Sequence, residues 1–343
     1  MNKPINLAII GLGYWGPNFA RLCYETENIF LKYCCDIDDT ALNKIRIRYP
    51  GVTIVNDYHQ ILADKEVDGV IVVTPPETHF SLCKDILESG KDVLVEKPLT
   101  LKSKDAEKLI ATAKKHSRIL VVDHIFQYNS GIEKLRSIVK DKTLGRVFYL
   151  SGAYTALGPV RNDVNAILDL APHHFYILNY VLDKKPLWIS ATGENYLKAE
   201  NSDVSFITIG YDDNILAKVD VSWLFPFKVR NLVIVGEKKM AFFDDSSPDE
   251  KLKIYDKSAF FDSSHPEYPA ILKIVYREGD IIVPHLAPKE PLKEVLMEFR
   301  DRIVDRKKPK SDGADGLVVV KMLEGAQASL HAEGKRISLY EQK

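Results

Sequence analysis

The order of apolar and polar positions divides the chain into two parts of different character. In the first part, short runs rich in valine and isoleucine alternate with segments that mix polar and apolar residues at helical spacing. Apolar runs without alternation are typical of parallel strands that are buried on both faces. We predict strands at 5–10, 31–35, 69–73, 93–95 and 119–122, and helices at 17–26, 38–48, 78–89 and 103–116. Alternating strands and helices predict a doubly wound parallel α/β domain.

After about residue 146 the pattern changes, because strand-like runs follow one another with only short turns between some of them. Strands are predicted at 147–154, 187–193, 204–211, 215–223, 230–235 and 240–243, and helices at 289–306 and 313–333. Polar and apolar residues alternate from Lys218 to Trp223, which predicts an antiparallel sheet with one open face. Such a face must be covered, by helices or by another subunit, so a homo-oligomer formed through this sheet is expected.

A glycine-rich loop follows the first predicted strand. It carries Gly11, Gly13 and Gly16, and Pro17 opens the next helix. Strand, turn and helix together form the context in which a G-x-G-x-x-G pattern binds a dinucleotide. The first glycine allows the turn, the second lets a pyrophosphate approach the backbone, and the third lets helix and strand pack closely. The helix N-terminus adds N–H groups and a positive dipole end for the phosphates.

An acidic residue narrows the choice of dinucleotide. Asp36 follows the second predicted strand. It lies about twenty residues past the last glycine, where an acid accepts hydrogen bonds from the adenosine ribose. A carboxylate there would repel a 2′-phosphate, so the sequence favours NAD over NADP. The alternative is a glycine turn in another kind of α/β protein, with Asp36 a solvated loop residue.

Two further loops lie at the carboxyl edge of the predicted parallel sheet, where ligands bind in open α/β folds. Glu96, Lys97 and Pro98 follow the fourth predicted strand, so topology directs Lys97 toward the place of a nicotinamide. Pro98 restricts Lys97 to an extended conformation. The loop at 74–79 follows the preceding strand and is expected to line the cofactor cleft. It also reads as a proline-stiffened loop in which Thr78 caps the next helix.

A second group of reactive residues lies beyond the parallel domain. If this segment is helical, Asp169 and His173 are four residues apart and share one face. A carboxylate beside an imidazole fixes its tautomer and raises its basicity, as a general base requires. Pro172 either kinks this helix or marks its beginning. The alternative is that one histidine caps or packs inside the second domain.

Composition adds few constraints. The chain has 343 residues and a formal net charge of −1, a profile typical of soluble globular proteins with two domains and no nucleic-acid surface. The first apolar run is too short for a membrane span and lacks a signal-peptide layout, so a cytoplasmic location is expected. The cysteines show no metal-binding spacing and are interpreted as reduced, mostly buried thiols. They are Cys23, Cys34, Cys35 and Cys83.

These motifs together resemble the glucose–fructose oxidoreductase and inositol dehydrogenase family (Gfo/Idh/MocA). The similarity rests on the Gly-Leu-Gly-Tyr-Trp-Gly loop at 11–16, the Thr-Pro-Pro-x-Thr-His loop at 74–79, the Glu-Lys-Pro at 96–98 and the pair Asp169 and His173. It covers nearly the whole chain. The combination is specific, although each motif alone is not.

The resemblance implies a particular architecture and chemistry. The fold class is α/β, with an N-terminal Rossmann domain at 1–123 and a C-terminal α+β domain at 124–343. The second domain would carry a large open, mainly antiparallel sheet that binds substrate and mediates a homodimer or homotetramer. Whether the C-terminal helix packs back on the Rossmann domain is left open. The resemblance also implies that Lys97 binds the reacting oxygen, His173 takes the hydroxyl proton and Asp169 orients His173.

Within the family, the segments around residues 161–173 and 221–230 look most like members linked to nucleotide-sugar and polysaccharide synthesis. Arg161, Lys228 and Arg230 could receive a diphosphate, or they could pair with nearby acids. His124 and Tyr128 lie just past the fifth predicted strand and could contact a sugar, although Tyr128 could equally pack at the domain junction. Relatives often carry an aspartate where this chain has His174, which leaves open a swap of roles between the two histidines.

The sequence therefore predicts an NAD-dependent oxidoreductase without a metal, acting on a ring hydroxyl of a sugar, for example a UDP-sugar at carbon 3. Inositol or free-sugar dehydrogenase activity and a non-catalytic NAD-binding regulator are the alternatives. Predicted cofactor-binding residues are Gly11, Gly13, Tyr14, Trp15, Gly16, Asp36, Thr74, Pro75, His79, Glu96 and Lys97. Predicted substrate-binding residues are Lys97, His124, Tyr128, Arg161, Asn165, Asp169, His173, His174, Lys228 and Arg230.

Overall fold

The fold is given by a computed structural model, which describes residues 4–161, 164–197, 202–261 and 274–340. Its helices are α1 (Gly16–Glu25), α2 (Asp39–Arg48), α3 (His59–Ala63), α4 (Pro76–Glu88), α5 (Ser103–Lys115), α6 (Ser130–Lys140), α7 (Ala166–Leu182), α8 (Pro291–Asp305) and α9 (Gly313–His331). Its strands are β1 (Ile5–Ile10), β2 (Ile29–Cys35), β3 (Thr53–Val55), β4 (Gly69–Val72), β5 (Asp92–Val95), β6 (Leu120–Val122), β7 (Val147–Leu157), β8 (Trp188–Glu194), β9 (Val204–Gly210), β10 (Leu216–Ser222), β11 (Leu224–Gly236), β12 (Met240–Asp244), β13 (Leu252–Phe261), β14 (Ile274–Ile282) and β15 (Ile337–Ser338).

The chain forms two compact units. The first takes in the chain up to Tyr128 together with Glu290–Lys321, and the second takes in Asn129–Lys289 together with the chain from Met322.

A six-stranded parallel sheet forms the centre of the first unit, in the order β3-β2-β1-β4-β5-β6. The predicted doubly wound α/β domain is confirmed, and each of its five predicted strands is present. The order reverses between β1 and β4, which in this type of sheet opens a crevice at the carboxyl ends of the strands. An apolar core lies on each face, and α8 contributes Leu296 and Phe299 to one of them, beside Phe19 of α1.

A nine-stranded mixed sheet forms the second unit, in the order β14-β13-β12-β11-β7-β10-β9-β8-β15. β7 and β10 are parallel and the other neighbouring pairs are antiparallel, so the predicted large, mainly antiparallel sheet is confirmed. The helix α7 packs on one face, against β7, β9 and β10. Large apolar side chains, among them Tyr149, Phe206 and Leu216, are exposed on this sheet.

Three further observations bear on the predictions from composition. The four cysteines are buried and free, and burial raises the pKa of each thiol. Among the described helices, none combines the length and the apolar character needed to cross a bilayer. In the described parts of the chain, no three His, Cys, Asp or Glu side chains gather in a way that could hold a metal ion.

Candidate active site

The glycine loop between β1 and α1 has the shape of a phosphate cradle. Gly11 has φ +97°, and a Cβ built on it would lie 2.5 Å from the carbonyl oxygen of Val73. A Cβ on Gly16 would lie 2.2 Å from the carbonyl oxygen of Gly11, whereas one on Gly13 would meet nothing within 4 Å. Gly11 and Gly16 are therefore required by backbone packing. The open space over Gly13 fits a group that approaches the backbone closely, as a pyrophosphate does.

Asp36 directly follows β2, and its side chain is hydrogen-bonded to this loop. Its carboxylate accepts hydrogen bonds from the backbone N–H of Leu12 and, at 2.9 Å, from that of Asp38. Two apolar side chains of the loops that follow β1 and β2 are unusually open to solvent, with Tyr14 86% and Ile37 94% exposed. Trp15 packs edge-on against Tyr14, with ring centroids 5.4 Å apart. An acid and exposed apolar surface beside the cradle fit the ribose and base of a dinucleotide.

His79 joins the loops that follow β4 and β5. Its ring is fully buried, with Nε2 2.8 Å from the carbonyl oxygen of Thr74 and Nδ1 2.8 Å from that of Pro98. Burial lowers the pKa of His79. Both ring nitrogens contact backbone, so the structure places His79 as a support for the loops. Pro75, on the outer side of the first loop, is exposed.

Thr78 does not cap the following helix, so that interpretation of the loop is wrong. α4 begins at Pro76, two residues earlier than expected, because proline suits the first helical position. Thr78 instead lies inside the helix and donates its hydroxyl to the carbonyl oxygen of Pro75 at 2.7 Å.

Lys97 lies in a charged cluster at the ends of β5 and β6. Its side chain is half-buried, and its positive charge acts on Glu96, Asp123 and His124. His124 is 1% exposed; burial, and then the charge of Lys97, lower its pKa to about 3. Tyr128 lies in the apolar core of the first unit, under the ammonium of Lys310 at 5.6 Å from the ring centroid. Burial of His124 and Tyr128 fits packing better than contact with a sugar.

The helix α7 carries Asp169 and His173 in the second unit. Asn165 caps its first turn by accepting a hydrogen bond from the backbone N–H of Leu168 at 3.0 Å, and its amide pairs with the amide of Gln327. Pro172 lies within the helix and does not begin it. Asp169 and His173 are therefore four residues apart on one helix and share a face, as predicted.

Both oxygens of Asp169 are held by other side chains. Oδ1 accepts from Arg161 at 3.2 Å, and Oδ2 accepts from the indole N–H of Trp223 at 3.1 Å. The structure thus shows the acid-paired alternative for Arg161. The role of Trp223 was missed, although the polar and apolar alternation that ends on this residue pointed to a buried position.

The two adjacent histidines have opposite environments. His173 is half-exposed and stacks on the ring of Tyr154, with centroids 5.6 Å apart and planes 19° apart. His174 is 3% exposed, its Nε2 lies 3.0 Å from the carbonyl oxygen of Asn231, and burial lowers its pKa. A Cβ on Gly152 would lie 2.6 Å from the His174 ring, so the ring packs directly on the sheet.

Tyr154, which stacks on His173, also contacts Arg230 of β11. The guanidinium of Arg230 lies 4.5 Å from the Tyr154 ring centroid and 3.8 Å from the carboxylate of Asp245. Burial raises the pKa of Tyr154 to about 12. Lys228 is exposed. Sequence reasoning missed Tyr154, because its proximity to His173 depends on the packing of α7 on the sheet.

Comparison with known proteins places both parts of the chain in one family. Residues 5–124 match the GFO/IDH/MocA oxidoreductase family with an NAD-binding Rossmann fold, and residues 132–242 match the GFO/IDH/MocA C-terminal domain. The Escherichia coli oxidoreductase YdgJ is 32% identical over 183 residues, about half the length of each chain. The myo-inositol 2-dehydrogenase of Thermotoga maritima is 23% identical over 70% of this chain and 75% of that protein.

Solved structures show the same fold over nearly the full length. The UDP-N-acetylglucosamine 3-dehydrogenase of Acidithiobacillus ferrooxidans has a TM-score of 0.80 at 21% identity, covering 96% of this chain and 98% of that one. GenD2 from gentamicin A biosynthesis, solved in complex with NAD, has a TM-score of 0.83 at 20% identity, covering 99% and 98%. With both domains matched and the glycine cradle in place, the chain belongs to the Gfo/Idh/MocA family of NAD-binding oxidoreductases.

Proposed function

We propose that this protein interconverts a ring secondary alcohol and ketone of a sugar or cyclitol, with Lys97, Asp169 and His173 as its catalytic residues. The observation that carries the proposal is the arrangement on α7. Asp169 is fixed through both oxygens, and His173, on the same helix face, is accessible and stacked. An accessible imidazole with an ordered carboxylate beside it can act as a general base.

The cofactor site of the proposal is the carboxyl edge of the parallel sheet. The loop from Gly11 to Gly16 would hold the pyrophosphate and Asp36 the ribose, while Thr74, Pro75 and Glu96 would line the adjacent loops. Bound NAD supplies the hydride acceptor for the alcohol. The carboxylate of Asp36 favours NAD over NADP, because a 2′-phosphate would meet a like charge.

Side chains of the protein would bind the substrate oxygen and accept the hydroxyl proton. His173 accepts the hydroxyl proton, and Tyr154 limits rotation of the imidazole by stacking on it. The ammonium of Lys97 would donate a hydrogen bond to the substrate oxygen and stabilise the negative charge that develops there. We assign His79, Asn165 and His174 to support of these groups, since each is buried and hydrogen-bonded to protein.

Within this class we propose a nucleotide sugar, such as a UDP-sugar at carbon 3, as the substrate. Support comes from the fold shared with a UDP-N-acetylglucosamine 3-dehydrogenase and from the exposed Lys228, two residues before Arg230 on β11. A free sugar or inositol is the second candidate. It is favoured by the contacts of Arg161 with Asp169 and of Arg230 with Asp245, which already balance the charge of both arginines.

A substrate panel separates these candidates. UDP-sugars, dTDP-sugars, free sugars and inositol are incubated with NAD or NADP, and NADH or NADPH absorbance is followed. We expect turnover with NAD and a UDP-sugar. No turnover of any of these substrates with NAD or NADP would contradict the proposal, and turnover confined to inositol or free sugars would select the second candidate.

Lys228→Ala then tests the diphosphate contact, because Arg161 is unsuitable for this purpose while it contacts Asp169. We expect KM for the UDP-sugar to rise about tenfold, since one charge-assisted contact is lost, with kcat little changed. Lys185→Ala, an exposed lysine in the turn after α7, is the matched control. An unchanged KM in Lys228→Ala would remove Lys228 from the substrate site.

We also propose a homo-oligomer through the open face of the nine-stranded sheet. Tyr149 of β7 lies opposite Leu216 of β10 and Val235 of β11, so an apolar row crosses adjacent strands. Light scattering is expected to give a dimer or tetramer, and Leu216→Glu is expected to dissociate it. Ile47→Glu, an exposed apolar residue on α2, is the control. A monomeric wild-type protein would rule the proposal out.

A further inference from the structure

Two carboxyl side chains meet at the ends of neighbouring strands β5 and β6. Val95 and Val122 are partners in the parallel register, and Glu96 and Asp123 follow them directly. The register brings the two side chains within hydrogen-bonding reach of each other. The two carboxyls therefore form a contact pair at the carboxyl edge of the sheet, beside Lys97.

A hydrogen bond between two carboxyl groups requires a proton, because ionised carboxylates have no donor. Asp123 is 2% exposed, and its Oδ1 has no hydrogen-bond partner among the described residues. Burial, and then the charge of Glu96, raise the pKa of Asp123 well above its usual range. Burial also raises the pKa of Glu96, although the charge of Lys97 opposes this. Asp123 is thus the carboxyl that is more readily protonated, and Glu96 is the one that is more readily ionised.

The pair is coupled to Lys97 in two ways. The backbone N–H of Lys97 donates to Glu96 Oε2 at 3.1 Å, which fixes the chain where the lysine leaves the sheet. The positive charge of Lys97 acts on both carboxyls and on His124, which follows Asp123 and is neutral at physiological pH because of its lowered pKa. One ionised carboxylate in the pair then balances one ammonium.

We infer that Glu96 and Asp123 share a single proton and act as a positioning pair that orients Lys97 and matches its charge. This inference rests on the proposed function, in which Lys97 contacts the reacting oxygen. Neither carboxyl needs to touch substrate. If both were ionised, two adjacent carboxylates would repel each other and the Glu96 contact with the Lys97 backbone would be disturbed.

The shared proton has a definite consequence for stability. The native protein keeps a proton on Asp123 that the unfolded chain releases above about pH 4. The stabilising contribution is therefore fully present below the unfolded pKa and is lost as pH rises toward the raised native pKa. The free energy of unfolding of the wild type should fall with pH over that interval.

Asp123→Asn tests the inference, because the amide can donate to Glu96 without a titrating proton. At neutral pH the wild type should show the infrared band of a protonated carboxyl, and Asp123→Asn should lose it. The variant should also lose the fall in unfolding free energy with pH. Asp85→Asn, in which a half-buried acid contacts Tyr58, is the matched control and should keep both signals. A band that persists in Asp123→Asn would overturn the inference.

The catalytic readout separates positioning from simple loss of fold. Asp123→Ala should lower kcat about 100-fold with KM little changed, since small misplacement of a catalytic group has effects of this size. Asp123→Asn should rescue most of that loss. If Lys97→Ala keeps full turnover while the infrared band is present in the wild type, the proposed function fails and the shared proton stands. If Lys97→Ala is inactive and the band is missing in the wild type, only the inference fails.

Discussion

At the scale of single residues, adjacent side chains of the same type lie in different environments. His173 is half-exposed on α7 and stacks on Tyr154, whereas His174 is buried against Gly152 and the carbonyl oxygen of Asn231. The sequence left open which histidine acts as the base, and the difference in burial favours His173. An imidazole that is sealed in the core cannot exchange a proton with a substrate, so we propose His173 as the base.

Replacing each histidine should give different losses. His173→Ala should lower kcat by about 10²–10⁴-fold, the usual contribution of a general base, with NAD binding and stability retained. His174→Ala should lower the free energy of unfolding by about 1–3 kcal/mol, because it leaves the carbonyl oxygen of Asn231 without its buried partner. Steady-state kinetics, NAD titration and urea denaturation measure the three quantities. Full turnover in His173→Ala would exclude His173 as the base.

The positions of site residues could be predicted where the strand order and the spacing of a motif both located them. Lys97 follows a parallel strand, and Asp169 and His173 lie four residues apart on one helix, so local sequence was sufficient to place Lys97 at the sheet edge and to pair Asp169 with His173. The contact of Trp223 with Asp169 was not predictable, because it joins residues far apart in sequence, and acid pairing of Arg161 was one of two open alternatives whose acid was not identified. Such contacts depend on how α7 packs on the sheet.

At the scale of elements, the β1–α1 loop combines a packing requirement with a binding requirement. Gly11 and Gly16 have backbone atoms where a Cβ would lie, and Gly13 has open space. The same motif therefore contains glycines needed for the fold and one available for a ligand.

Alanine substitution should separate these two requirements. Gly13→Ala should change stability by no more than about 0.5 kcal/mol, as for other substitutions in open space. It should still weaken NAD binding, because the methyl group occupies the place of the pyrophosphate. Gly16→Ala should lower the free energy of unfolding by about 1–3 kcal/mol through overpacking. Calorimetric NAD titration and thermal unfolding provide the test, and unchanged NAD affinity in Gly13→Ala would argue against this cradle.

Elements with a strong pattern were predicted well, and short or locally ambiguous ones were not. β3 and α3 are too short to show a period, so both were missed. The helix α6 was also missed, although it has an apolar face and an Asn129 cap. β11 extends from Leu224, well before the predicted start, because a bulge between Leu224 and Val229 breaks the alternation that marks a strand.

At the scale of the whole molecule, the chain leaves the first unit at Tyr128 and returns to it at Glu290. The helix α8 was predicted as a helix, but its place in the first unit depends on Leu296 and Phe299 entering a core built mainly from the first third of the chain. The local sequence of α8 does not show which unit the helix joins, since its apolar face could pack against any core. The family and both sheets were accessible from sequence because they rest on motifs and strand patterns.

The proposed activity of the whole molecule depends on Lys97 acting in an NAD-dependent oxidation. The most direct measurement compares wild type, Lys97→Ala and Lys104→Ala, an exposed lysine of α5, for NADH formation on the best substrate of the panel and for NAD binding. We predict that Lys97→Ala loses about 100-fold or more in kcat, as when one preorganised donor to a developing oxyanion is removed. All three proteins should bind NAD. If Lys97→Ala turns over substrate as fast as Lys104→Ala, the proposed catalytic role of Lys97 is contradicted.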